Sequence, residues 1–137
     1  MRFLSIYKAP ETNVPPTTEE MAKMGKLIEE MTNAGVLLAT EGCLPSAKGA
    51  RVRRSGGKLT VTDGPFTESK ELIAGFALLN AKSKEEAIEL TKRFLEVAGE
   101  GECEVRQIFE AQDFGSEFTP ELREQEERSR AKMAENR

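Results

Sequence analysis

The sequence of 137 residues contains no histidine and no tryptophan, and aromatic residues account for only 6% of it. Histidine is the side chain most often used as a general acid or base near neutral pH. Its absence excludes Ser-His-Asp and Cys-His nucleophile systems and every metal site built on imidazole ligands. The chemistry that remains uses carboxylates, lysine, tyrosine or thiols, or else the protein catalyses nothing.

Cysteine is also scarce. Cys43 and Cys103 lie far apart, and neither belongs to a C-x-x-C pair or to a cluster of metal ligands. Two such cysteines do not make the disulfide framework of a small secreted protein. We therefore expect free thiols in a reducing cytoplasm, no metal site and no cofactor. A disulfide is the alternative, because sequence does not give the distance between the two Cα atoms.

Long apolar runs are missing as well. The first residues, Met1 to Lys8, become polar too soon for a signal peptide, and no apolar run of about 18 residues occurs. The net charge of −4 and the pI of about 5.1 do not suit nucleic acid or an anionic membrane surface. We expect a cytoplasmic protein that binds neither membranes nor nucleic acids.

The residues that are present predict a strand–helix–strand unit in the first part of the chain. Residues 3–7 have the composition of a strand, and Thr17 with Glu20 has the spacing of a helix capping box. Apolar residues follow at helical spacing up to Gly35, which is placed as a helix-ending glycine. The apolar run at 36–39 then predicts a second strand that is buried on both faces.

A second unit of the same kind follows, with a hairpin between the two. The strongly apolar residues 73–79 predict a strand, Ser83 begins a helix, and residues 103–109 alternate like a half-exposed strand. Residues 50–54 and 58–62 surround a Gly-Gly turn and predict the hairpin.

Two strand–helix–strand units predict a ferredoxin-like α+β domain over residues 1–112, with a split βαβ arrangement, an inserted hairpin and an antiparallel sheet. The two helices cover one sheet face, so a second copy of the chain is the economical cover for the other, and we expect a homodimer. Residues 113–137 are polar and predict a C-terminal helical arm that begins at Thr119-Pro120. Its i,i+4 ion pairs are predicted at Arg123/Glu127, Glu124/Arg128 and Glu126/Arg130.

The stretch from Asp63-Gly64-Pro65-Phe66 to Glu71, with Gly75-Phe76 and Glu104-Val105-Arg106, resembles the DGPF-domain type of the YCII-related family. The resemblance extends over roughly the whole chain and implies a dimeric α/β barrel of ferredoxin-like protomers. It implies little about activity, since most such members are of unknown function and many are encoded near sigma factors. Some YCII-related proteins resemble lyases with a histidine–aspartate dyad, a mechanism that a chain without histidine does not share.

Asp63 and Glu41 are the candidate catalytic residues. In one interpretation the Asp63 carboxylate only binds backbone N–H groups of its own turn. In the other, Asp63 lies at the mouth of a pocket, and Glu41, which follows the second strand, lies close to it. Two neighbouring carboxylates raise the pKa of one of them and supply an acid and a base without histidine.

Four further residues are candidate ligand-binding residues. Tyr7 ends the first strand, where its hydroxyl either reaches a ligand or only packs at the edge of the core. Lys70 is either a solvated side chain or an anion-binding amine. Phe66 and Arg106 belong to the stretches that carry the family resemblance.

The predicted hairpin is strongly basic, with five cations and no acid between Glu41 and Asp63. These charges either form a solvated edge that prevents aggregation, or they face an anionic ligand or an acidic protein surface. Duplex nucleic acid does not fit, because the chain is acidic overall and no aromatic platform accompanies the arginines.

Two hypotheses for function follow. The first is a small-molecule-binding protein, with an anionic ligand among the alternatives, that acts as a lyase or isomerase through carboxylate acid/base chemistry. The second is a non-catalytic regulatory or binding protein linked to a sigma-factor pathway of transcription initiation.

Overall fold

The computed structural model describes all 137 residues as six strands and three α-helices. The strands are β1 (Arg2–Ala9), β2 (Leu37–Gly42), β3 (Ala50–Ser55), β4 (Lys58–Asp63), β5 (Leu72–Asn80) and β6 (Glu102–Gln107). The helices are α1 (Thr18–Asn33), α2 (Lys84–Ala98) and α3 (Pro120–Glu135). None of these helices combines the length and the apolar character needed to span a bilayer.

Strands β2, β5, β1 and β6 form one four-stranded antiparallel sheet in that order. The first strand of each strand–helix–strand unit is therefore central, and each second strand lies at an edge. This is the ferredoxin-like α+β arrangement that the sequence predicts, and the prediction is confirmed.

The predicted caps fix where the two core helices begin and end. The Thr17 hydroxyl accepts from the Glu20 N–H at 3.1 Å, and the Glu20 carboxylate accepts from the Thr17 N–H at 3.4 Å. At α2 only one of the two capping-box hydrogen bonds forms. The Glu86 N–H donates to the Ser83 hydroxyl at 3.1 Å. Helix α1 is followed by Gly35 at a φ of 75°, a left-handed conformation that glycine adopts without a Cβ clash.

The core lies between the sheet and helices α1 and α2. Phe3 and Leu79 are directly opposite each other on β1 and β5, and both are at least 97% buried. Apolar residues of the two helices cover this pair: Leu27, Met31, Ala87 and Leu90. Burial of these side chains, worth roughly 1.5–3 kcal/mol for each large one, is what holds the helices on the sheet.

The opposite side of the sheet, called here the open face, carries an apolar stripe that helices α1 and α2 do not cover. Directly opposite residues share a face, and the pairs Leu4/Leu78, Ile6/Phe76 and Lys8/Ile73 lie on this side. Ile73 is 56% exposed and Phe76 is 37% exposed.

The expectation that the second strand is buried on both faces is wrong. Strand β2 is an edge strand, and Leu38 is 45% exposed at an irregularity in its pairing with β5. A continuous apolar run is typical of a strand with two covered faces, but here one face is the uncovered side of the sheet.

The hairpin forms a separate two-stranded sheet, as predicted, with Gly56 and Gly57 at positive φ in its turn. Its pairing register places Val52 opposite Val61 and Arg54 opposite Leu59, so these residues share one face. The three apolar side chains of that face are 66–72% exposed. The opposite face is polar and holds Arg51, Arg53, Lys58, Thr60 and Thr62.

A hydrogen-bond network attaches the base of the hairpin to the neighbouring loops. Ser46 is buried, and both its N–H and its hydroxyl donate to the Glu11 carboxylate, the hydroxyl at 2.9 Å. The Ser46 hydroxyl oxygen accepts from the Phe66 N–H at 3.0 Å. Gly64 donates to the Gly49 carbonyl at 3.0 Å, and a Cβ at Gly64 would overlap the Ser46 carbonyl oxygen. The Gly-Pro-Phe part of the motif therefore has a structural role.

The chain separates into two compact units, Met1–Gln107 and Ile108–Arg137. In the second unit the Phe114 ring lies 4.8 Å from that of Phe109 and 5.3 Å from that of Phe118. Thr119 caps α3 as predicted, and two of the three predicted ion pairs form, Glu124–Arg128 and Glu126–Arg130. The third does not appear, and the guanidinium of Arg123 lies 4.9 Å from the centre of the Phe118 ring.

We predict that Gly64→Ala lowers the free energy of unfolding by about 1–3 kcal/mol, because the added methyl group overlaps the backbone of Ser46. The matched control is Gly25→Ala, since Gly25 lies inside α1 with open space around its missing side chain. That change should stabilise the protein by about 0.5–1 kcal/mol. Urea unfolding of both variants measures the difference, and equal stabilities would contradict the steric account.

Candidate functional site

A cavity of about 330 Å³ lies between the four-stranded sheet and helices α1 and α2. This volume falls at the small end of the range of ligand pockets, which is about 300–1,000 Å³. The sheet contributes one wall and the two helices contribute the other. The lining side chains are mostly apolar, and they include Met24, Leu27, Ile28, Met31, Leu37, Ala77, Leu90 and Phe94.

The sequence of the central strands explains why space is left there. Phe3 and Leu79 form one row across β1 and β5, and the next row on the same face is Ser5 with Ala77. The row after that is Tyr7 with Gly75. The small residues Ser5, Ala77 and Gly75 beside a row of large side chains leave a gap under the helices, whereas close packing of large side chains would fill it.

Glycines also let two strands come close together at one end of the cavity. Gly42 of β2 lies opposite Gly75 of β5. A Cβ at Gly75 would lie 2.8 Å from the Glu41 carbonyl oxygen, closer than real Cβ contacts allow. Glycine is therefore required at position 75 by this close approach of the two strands.

Three hydroxyl groups of the cavity wall donate to backbone carbonyl groups. Thr91 donates to the Ala87 carbonyl at 2.8 Å, and Thr40 donates to the Phe76 carbonyl at 2.9 Å. Tyr7 donates to the Glu100 carbonyl at 2.7 Å, and its ring meets that of Phe94 edge-on at 5.2 Å. The wall is thus polar at a few fixed points and apolar elsewhere.

Two further polar groups lie at the floor of the cavity. The Ser5 hydroxyl is 3.5 Å from that of Thr91, and both residues are more than nine-tenths buried. Burial raises the pKa of the Cys103 thiol, although a hydrogen bond with Ser5 opposes this shift. Burial is also the main cause that raises the pKa of Tyr7, with Cys103 next. Both groups are therefore protonated at neutral pH.

The structure brings two of the six predicted site residues to this cavity, Glu41 and Tyr7. Asp63 is exposed at the end of β4 and does not line the cavity. The pairing of Asp63 with Glu41 has no support from this placement and stays a prediction.

The other three predicted residues also lie outside the cavity wall. The Phe66 ring lies under the Arg51 guanidinium, 3.9 Å from it, and Arg51 forms an ion pair with Glu68. Lys70 is exposed and forms no ion pair.

Arg106 is exposed and lies on the open face, directly opposite Leu4. It binds Glu104 at 3.2 Å, and Lys8 binds the same carboxylate at 3.1 Å. Hydrogen bonds from Lys8 and then Arg106 lower the pKa of Glu104. Arg106 therefore belongs to a charged group on the side of the sheet away from the core.

The sequence did not identify four polar residues of the cavity: Ser5, Thr91, Thr40 and Cys103. A signal for two of them was present, because strand alternation places Ser5 on the face of Phe3 and Tyr7. The same alternation places Cys103 beside Tyr7. Small polar residues at the inward-facing positions of a strand indicate a polar cavity floor of this kind.

Acidic and sulfur ligands are not grouped in the way a metal site requires. No group of three or more Cys, Asp or Glu side chains lies close enough together to hold an ion. Both cysteines are free, as the sequence predicts, and the structure shows Cys43 exposed and Cys103 half-buried.

The four-stranded sheet, with two helices on one face and a cavity beneath them, defines a ferredoxin-like α+β ligand-pocket architecture. The chain belongs to the YCII-related domain family, whose model matches residues 1–112. An uncharacterized protein of Rhizobium meliloti (strain 1021) is 32% identical over 72 residues, which are 53% of this chain. The match spans 58% of the length of that relative. These similarities establish the family but do not indicate an activity.

We predict that iodoacetamide modifies Cys43 before Cys103 at about pH 8. The raised pKa of Cys103 lowers its thiolate fraction at any given pH, and partial burial restricts access. The rate at Cys103 should rise as the pH increases toward that pKa. Intact-mass measurements on Cys43→Ser and Cys103→Ser separate the two sites, and faster modification of Cys103 would contradict the assigned burial.

Proposed function

We propose that this protein binds a small, neutral and largely apolar molecule in the cavity between its sheet and its helices. The observation that carries the proposal is the composition of the wall. Apolar side chains dominate it, a few hydroxyl groups are fixed within it, and no lysine or arginine lines it. Such a wall is typical of small-molecule sites, in which a few placed polar groups orient an otherwise apolar ligand.

The charge of the wall supports a neutral ligand over the anionic alternative. Glu41 is the one acidic residue among the lining residues, and no lysine or arginine is among them. An anion transferred from water into this cavity would lose its hydration and meet no cation, and an unpaired buried charge is costly. The cations of the hairpin and the Lys8–Arg106 group are not among the lining residues.

The chemistry of the wall supports binding over catalysis. The protonated Tyr7 phenol and Cys103 thiol are poor nucleophiles. Glu41 is the one acidic residue among the lining residues, and its register places it opposite Phe76, a residue of the open face. A lyase or isomerase with a carboxylate pair needs a second acid beside Glu41, and Asp63 does not line the cavity. Binding without turnover is also what a regulatory member of the family would do. The two free thiols fit the reducing interior of a cell.

We also propose that the protein is a homodimer whose open faces are covered by the partner copy. The apolar stripe of this face includes Ile73 and Phe76, and exposed apolar stripes of this kind mark protein interfaces. The face carries charges of both signs, Arg106 with Glu104 at one edge and Glu41, which forms no ion pair, at the other. A face with both signs is complementary to itself under a two-fold rotation.

We predict that the neutral dye N-phenyl-1-naphthylamine binds the wild-type protein and gains fluorescence, because the apolar wall excludes water from it. Naphthalene should displace the dye, whereas the anion 2-naphthoate should not do so at the same concentration. Ala77→Leu fills part of the cavity and should weaken dye binding about ten-fold. Ala39→Leu is the matched control on the neighbouring strand, since Ala39 does not line the cavity. If 2-naphthoate displaced the dye at lower concentration than naphthalene does, a neutral ligand would be contradicted. Absence of dye binding would contradict the cavity proposal.

We predict a mass of twice 15.2 kDa in light scattering. Ile73→Glu places a charge in the apolar stripe of the open face and should shift the mass to that of a monomer. Val14→Glu is the matched control, because Val14 is 73% exposed in the loop before α1 and should leave the dimer intact. A wild-type mass of 15.2 kDa would refute the homodimer.

A further inference from the structure

We infer that the bound molecule presents a hydrogen-bond donor, a hydroxyl or an N–H group, to the floor of the cavity at Ser5 and Thr91. The inference rests on the proposed binding function and adds the polar chemistry of the ligand to it. It follows from where each hydroxyl proton of the wall is held.

The hydroxyl groups among the lining residues already have acceptors for their protons. A hydroxyl has one proton to donate and two lone pairs that accept. The protons of Thr91, Thr40 and Tyr7 are each held by a backbone carbonyl at 2.7–2.9 Å. Their oxygen atoms therefore keep lone pairs free, and the donors that complement them must come from the ligand.

Ser5 makes only weak hydrogen bonds, one with the Cys103 thiol and a long one with Thr91. Its hydroxyl lies 3.5 Å from that of Thr91, well beyond the usual O–H···O distance of about 2.7–2.8 Å. Because the Thr91 proton already points to the Ala87 carbonyl, Ser5 is the donor in this long contact. An entering hydroxyl that donates to Thr91 and accepts from Ser5 would replace one long contact with two of ordinary length.

The floor is a built site rather than an exposed polar patch. Ser5 is 6% exposed and Thr91 is 7% exposed. Strand β1 positions Ser5 through its pairing with both β5 and β6, and α2 positions Thr91 through the bond to the preceding turn. Buried hydrogen bonds of this kind discriminate strongly, since a ligand that cannot complete them leaves polar groups unpaired.

A ligand with only an acceptor would be disfavoured here. A methyl ether or a carboxylate can accept the Ser5 proton, but it brings no proton to the lone pairs of Thr91, Thr40 and Tyr7. The thiol proton of Cys103, a weak donor, is the other proton near this point. The floor thus distinguishes ligands that donate a hydrogen bond from ligands that only accept one.

The experiment compares three probes of nearly the same shape by displacement of N-phenyl-1-naphthylamine from the full-length protein. Naphthalene has no polar group, 2-naphthol donates and accepts, and 2-methoxynaphthalene only accepts. We expect 2-naphthol to bind about five-fold or more tighter than naphthalene, the value of one net hydrogen bond. We expect 2-methoxynaphthalene, which can accept from Ser5 but brings no proton to Thr91, to bind less tightly than 2-naphthol.

Two variants locate the effect. Thr91→Val keeps the shape of the side chain and removes the oxygen, and Ser5→Ala removes the other hydroxyl. Each should reduce the preference for 2-naphthol over naphthalene, the ratio of their two affinities for the same variant, to less than about two-fold. The matched control is Thr32→Val, because the Thr32 hydroxyl makes the same bond to the preceding turn of α1, to the Ile28 carbonyl at 2.6 Å, outside the cavity wall.

The outcomes separate this inference from the function on which it rests. Equal binding of all three probes by the wild-type protein would overturn the donor inference and leave the cavity proposal standing. A preference for 2-naphthol that persists in both Thr91→Val and Ser5→Ala would overturn the assignment to this floor. Failure of every probe, together with failure of the dye, would contradict the binding function itself.

Discussion

The antiparallel pairing of β1 with β5 is the constraint on which the rest of the structure depends. Its register places Phe3 opposite Leu79 in one row and Ser5 opposite Ala77 in the next. The first row anchors both helices, and the second leaves the space beneath them. A shift of this register by one residue would turn Phe3 to the open face and remove both the core and the cavity.

Core and cavity therefore use the same two strands and the same two helices. Leu27 and Met31 of α1, with Leu90 of α2, belong to the buried cluster and also line the cavity. Close packing at one end of the sheet supplies the stability, and the row of small residues supplies the room. The cavity therefore depends on the order of residue sizes along a strand rather than on any single reactive side chain.

The motif at residues 63–71 is prominent in the sequence, and its position in the structure is away from the cavity. Gly64 approaches the Ser46 backbone closely, and the Phe66 N–H binds the Ser46 hydroxyl while its ring supports Arg51. These contacts hold the base of the hairpin. A local motif of this kind is easy to recognise because its residues are adjacent, whereas the cavity floor joins Ser5, Thr91 and Cys103 from three distant parts of the chain.

The sequence by itself determined the element order, the caps at Thr17 and Ser83, the hairpin turn and the ferredoxin-like arrangement, because period, capping and turn chemistry are local properties. It did not determine the exposure of β2 or the residues of the site. Edge position is a property of the whole sheet, so the apolar run at 36–39 misled the prediction of burial. Only the tertiary structure decided that Glu41 and Tyr7 reach a common cavity and that Asp63, Phe66, Lys70 and Arg106 do not line it. The physical reason is that a binding site is defined by distances between residues far apart in the chain, which packing sets and local pattern does not.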